Sequence, residues 1–196
     1  MREFHKPVRR PSEFLEALVP TGDPSESLAH NSAAAFLQRV RASDDPALAS
    51  RIVEYAQAHG VDDVAELWSE AAADTLPGAM WRLYLLRHVV ASDGELAGLR
   101  FRQGVGVSSE RDIVVAGAPD APSPDEVVEL ANTIFRGAFA GDFAVALHRA
   151  AAFSRIQSAG AADLGRDEDR RASEHFAAFA QELERAASLW LRGRLN

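Results

Sequence analysis

The stretch Leu76-Pro77-Gly78-Ala79-Met80-Trp81-Arg82-Leu83-Tyr84-Leu85-Leu86-Arg87-His88-Val89-Val90-Ala91-Ser92 decides the fold. It opens with helix-start chemistry: Asp74 and Thr75 are available as N-caps, and Pro77 pre-sets the backbone of a first turn. Between Ala79 and Ala91 only Arg82, Arg87 and His88 are strongly polar. At about 100° per residue these three lie at roughly 0°, 140° and 240° around a helix, so no face is left to water. A helix that is apolar nearly all round is a buried one, and Trp81 and Tyr84 give it the bulk to anchor a core. The stretch predicts a central helix over 76–92 with amphipathic helices laid around it.

Working toward the N-terminus, Val61 to Ala72 predicts a helix through Val64, Leu67 and Trp68, and 46–58 another, ended by His59-Gly60. Ser25 to about Ala42 is a third, with Leu28, Phe36, Leu37 and Val40 apolar, and Glu13–Val19 a short fourth. Residues 1–11 hold two prolines and read as a flexible arm. Toward the C-terminus, Glu95 to Phe101 predicts a short helix, followed by a long irregular loop over 102–124 with room for one short strand at Asp112-Ile113-Val114-Val115-Ala116. Ser123-Pro124-Asp125-Glu126 combines an N-cap, a first-turn proline and a capping-box glutamate, so a helix begins there and runs to about Arg136. Asp142 caps another to about Ser158, and the last spans about 167–192 with Phe176, Phe179, Leu183, Ala186, Ala187 and Trp190 on one stripe. The expectation is an all-α, single-domain bundle of about seven to nine helices over 1–196.

Composition narrows the activities. No cysteine occurs, which removes disulfides, thiolate nucleophiles and cysteine-ligated metal centres together. No apolar run reaches the length of roughly 18 residues expected of a membrane span, and no apolar segment follows the basic N-terminal tip as in a secretory signal. A cytoplasmic protein without membrane contact is expected. The net charge of −8 is concentrated in 12–78, which carries twelve acids against three bases. That balance argues against a nucleic-acid footprint, which needs a basic patch. The spacing at 52–70 imitates a helix-turn-helix, yet its second helix would carry Asp62, Asp63, Glu66 and Glu70 and no base, so it would repel phosphates.

Catalytic and metal motifs fare no better. Glu26/His30 and Glu174/His175 lack the Glu-x-x-His or His-Glu-x-x-His spacing of metal sites. The pairs Glu13/Glu16 and Glu126/Glu129 resemble half the metal site of all-α nucleotide pyrophosphohydrolases, but the downstream Glu-x-x-Asp is missing. Gly104-Val105-Gly106 has neither the lysine of a phosphate loop nor the third glycine of a dinucleotide fingerprint, and no Gly-x-Ser-x-Gly occurs. Neither metal nor cofactor is expected, and nothing pairs a nucleophile with a base.

What remains is the central helix. Buried guanidinium groups need partners, and acids such as Glu66, Glu70 or Asp74 could neutralise Arg82 and Arg87 in a helix-orienting salt bridge. Alternatively Arg82, Arg87 and His88 line a pocket walled by Trp81 and Tyr84 and hold a small anionic ligand. The run Glu66-Leu67-Trp68, the stretch Leu76 to Arg87 and the later Gly141-Asp142-Phe143-Ala144-Val145-Ala146-Leu147 together resemble a family of uncharacterised actinobacterial all-helical proteins. That resemblance implies a cytosolic helical protein and no particular activity. The leading expectation is a non-enzymatic interaction or regulatory protein, with a protein partner or self-association through the aromatic-rich last helix. The alternatives are an all-α domain binding a small anion and a helical-repeat adaptor.

Overall fold

The computed structural model describes residues 24–42 and 68–195. The arm 1–11, the expected helices 13–19 and 46–58, and all but the end of 61–72 lie outside the described residues. Among the described residues seven helices form: α1 Pro24–Arg41, α2 Leu76–Ser92, α3 Gly94–Val107, α4 Glu110–Ala116, α5 Pro124–Ala140, α6 Phe143–Leu164 and α7 Asp167–Leu191. No strand occurs among the described residues, and the protein is an all-α bundle.

Local chemistry sets most boundaries. Thr75 caps α2 by accepting from the Gly78 amide at 3.2 Å, with Pro77 in the first turn. Asp93 ends α2 and caps α3 through the Leu96 amide at 3.0 Å, which makes a tight corner between them. At α5 the capping box is complete: the Ser123 amide donates to Glu126 at 2.8 Å and the Glu126 amide to Ser123 Oγ at 3.3 Å. The Ser123 backbone and then its hydroxyl hold the Glu126 carboxyl below its ordinary pKa.

The region 102–124 departs from expectation. α3 continues to Val107, and the β-branched run falls inside α4 instead of a strand. The flanks outweigh strand propensity: Ser109 caps by accepting from the Asp112 amide, Glu110 and Asp112 occupy the first turn, and Gly117 takes the left-handed conformation. The Ala118 amide then reaches Ile113 O at 3.0 Å and Gly117 reaches Val114 O at 3.1 Å, a Schellman ending. Ile113 and Val115 pack on the core while Val114 faces water.

The helix 76–92 forms with the expected bounds and buries nine of its residues, but the helix that the others surround is α6, with thirteen. Both α2 and α6 are apolar in sequence. Bulk drew attention to Trp81 and Tyr84, whereas small size decides the centre: Ala144, Ala146, Ala150, Ala151, Ala152 and Ala161 let neighbours close on α6 from every side. α3, α4, α5 and α7 flank it, and α2 packs on α5 and α1. α6 also passes through Gly160, where sequence reading expects a break, because α3 crosses there. A Cβ at Gly160 would stand 1.7 Å from Arg100 O, and one at Gly104 would stand 2.0 Å from Ile156 O. The two backbones touch with no side chain between them. Beside the crossing, the fully buried Gln157 donates to Ala97 O at 3.0 Å.

Candidate functional site

The structure separates the five residues singled out on α2. Arg82 reaches α7, pairing with Glu182 at 2.6 Å and donating to Gly78 O at 3.0 Å. Arg87 turns toward α5 and donates from Nε to Asn132 Oδ1 at 2.9 Å. Trp81, Tyr84 and His88 form a ring ladder along the outer side of α2, with centroid separations of 5.5 and 5.8 Å. Trp81 and Tyr84 are half-buried and His88 is exposed. The two arginines therefore share no pocket. Glu70 and Asp74 stay exposed at the surface, and Arg82 is neutralised by an acid a hundred residues away instead.

Arg87 is the unusual member. It is 3% exposed, and its partner is a neutral amide, which in turn leans on Glu129 at 3.5 Å. Burial lowers the guanidinium's pKa, an effect partly opposed by the neighbouring Tyr84. The other charge buried among the described residues, Asp169, is fully matched. It lies in the first turn of α7 with no exposed surface, bonded to Arg100 at 2.7 Å and to Arg166. Burial pushes its pKa upward, but hydrogen bonds from Arg166 and Arg100 and their charges outweigh that, and the net shift is downward.

A concavity among the described residues lies elsewhere, between the antiparallel α6 and α7. These helices are joined by a turn at Gly165 and held side by side by Ser158 Oγ on Ser173 O at 2.8 Å and, at the far end, by Phe143 against Trp190 at 4.9 Å. Along their seam runs an open groove of about 660 Å³, floored by the half-buried Ala159 and Ala177 and the buried Ala180 and rimmed by Arg155, Glu184 and Arg185. The rim is internally braced. Arg155 holds Asp112 of α4 at 2.7 Å and Glu184 of α7 at 3.5 Å, and His148 Nδ1 meets Glu184 at 3.1 Å. Sequence reading treats Glu184 and Arg185 as a solvated face. The signal it passes over is the run of alanine and serine on one flank of α7, at Ser173, Ala177 and Ser188, facing the same residue types on α6.

No group of acids and histidines among the described residues is placed to hold a metal, and no described helix is long and apolar enough to cross a membrane. Glu126 and Glu129 are engaged separately, by Ser123 and by Arg136. Comparison of the chain with protein families, with curated proteins and with solved structures returns no match.

Proposed function

We propose that this chain is a non-enzymatic interaction or regulatory protein that presents the α6/α7 seam to a protein partner. The groove carries this reading. Its small floor residues allow close approach of a visiting helix, and its charged rim sets the register of what lands there. A small ligand needs a cavity that encloses most of its surface, which an open seam does not provide. Packing of the helices around α6, instead of in series, favours a groove-based contact over a helical-repeat adaptor. Native mass spectrometry of protein purified gently from the cells that make it tests this. A partner chain retained by the natural sequence and lost with Ala177→Arg is the expected result. A bare monomer mass, or a partner that Ala177→Arg leaves in place, overturns it.

A second reading rests on Arg87 alone. Its buried guanidinium meets an amide and no carboxylate among the described residues, so a small anion bound beside it would supply the missing charge. Sulfate or phosphate should then raise the melting temperature of the natural protein and of Arg82→Met, but not of Arg87→Met. Equal shifts in all three exclude the site.

A further inference from the structure

The outer side of α7 carries a self-complementary charge pattern. Asp167, Arg171, Glu174, Ala178, Gln181, Arg185, Ser188 and Arg192 follow one another at alternating spacings of four and three, which places them in a single stripe along the helix. All but the half-buried Ser188 are exposed. Glu174, Arg185 and Arg192 make no ion pair among the described residues, and Asp167 is held only loosely by Arg170 at 3.5 Å. If the stripe is laid antiparallel on a copy of itself about a two-fold axis between residues 179 and 180, Asp167 falls opposite Arg192 and Glu174 opposite Arg185. Arg171 then meets Ser188, and Ala178 meets Gln181. No like charges face each other, and the two-fold repeats each opposite-charge pair. The smallest residue of the stripe lies next to the axis, where the helices must come closest, and the groove floored by alanines runs along the same flank.

We propose that the partner at this face is a second copy of the chain, bound through an antiparallel α7–α7 contact. This rests on the reading of the seam as an interaction surface and names its occupant. Self-complementarity of one patch is what a two-fold interface requires. The contact is polar and lined by small residues, so the dimer should be weak, on the order of micromolar, and should loosen as salt is raised.

Charge reversal in the full-length protein, read by sedimentation velocity across the micromolar range, tests the proposal. Either Glu174→Arg or Arg185→Glu sets like charges against each other twice and should weaken the dimer by about tenfold or more. The double variant restores opposite charges across the axis and should return the affinity to near that of the natural protein. Both positions are exposed and make no ion pair among the described residues, so the fold should be unaffected, which thermal melting will check. The absence of native cysteine supplies a second readout. Ala178→Cys combined with Gln181→Cys should form a disulfide-linked dimer on mild oxidation, whereas Val114→Cys on α4 should not. A natural protein that stays monomeric throughout overturns self-association and leaves the protein-partner reading to the Ala177→Arg experiment. A dimer indifferent to both reversals places the self-contact elsewhere and overturns the α7–α7 proposal, while the seam reading stands or falls with Ala177→Arg.

Discussion

Asp169 shows most clearly what a single residue contributes beyond its own helix. In sequence it is one of three acids at the start of α7, an ordinary complement to the helix dipole. In the fold it is sealed from water and clamped between Arg166 on its own turn and Arg100 on α3, sixty-nine residues earlier. Nothing local distinguishes it from Asp167 or Glu168, because burial depends on where α3 passes. Removing its charge leaves Arg100 underpaired in a dry setting, so Asp169→Asn should cost about 3 kcal/mol in denaturant unfolding at neutral pH. The pH dependence follows from the lowered folded pKa: the unfolded state binds the proton more readily, so stability rises with pH through this range. The contribution is fully present above the unfolded value of about 4 and is lost as pH falls toward the folded one. Unfolding curves of the natural protein and Asp169→Asn should therefore converge in acid. A gap that persists unchanged would show that the carboxylate's charge is not the stabilising feature.

At the level of elements, helix starts were legible and helix interiors less so. Thr75 with Pro77, Ser123 with Glu126, and Asp142 each announce a start through side chains within one turn, and each is used as the residues imply. The region of α4 reads as loop with room for a short strand because Ile113, Val114 and Val115 favour extended backbone, whereas the Ser109 and Gly117 that bracket them fix a helix. Gly160 reads as a stop in sequence because its reason lies in another element, the backbone of α3. Glycines at this crossing should behave unlike Gly106 and Gly137, which face open space. Gly160→Ala or Gly104→Ala forces the helices apart and should cost about 3 kcal/mol or more. Gly106→Ala and Gly137→Ala meet nothing within 4 Å and should stabilise by about 0.5–1 kcal/mol through helix propensity. Thermal melts of the four variants check the contrast. Similar shifts in all four would mean that the crossing is looser than described.

For the molecule as a whole, the all-α architecture is readable from periodicity and turn chemistry, while the groove between α6 and α7 is not. Arg82, Arg87 and His88 stand out in sequence because they interrupt an apolar run, and Trp81 and Tyr84 by their bulk, yet Arg82 and Arg87 are drawn to different neighbouring helices. The groove is built from alanine and serine, residues that carry no chemical signature until two helices set them side by side. α7 also has two sides with different duties. Leu183, Ala186 and Ala187 belong to the core, so the helix is structural as well as exposed. Deleting 167–196 should therefore abolish cooperative unfolding and expose apolar surface, read by calorimetry and dye binding. A truncated chain that still melts in one sharp transition would instead make α7 a detachable appendage.

The crossing of α3 over α6 also limits how the sequence can drift. Most sites in a helical bundle have neighbours in sequence space that cost little, so substitutions accumulate and are later compensated. Gly104 and Gly160 have none: every replacement adds an atom where carbonyl oxygen already stands. A descendant could escape only by moving a whole helix in one step. The two positions are fixed points of the chain, and Gly78, where a Cβ would stand 1.9 Å from Ala72 O, is another.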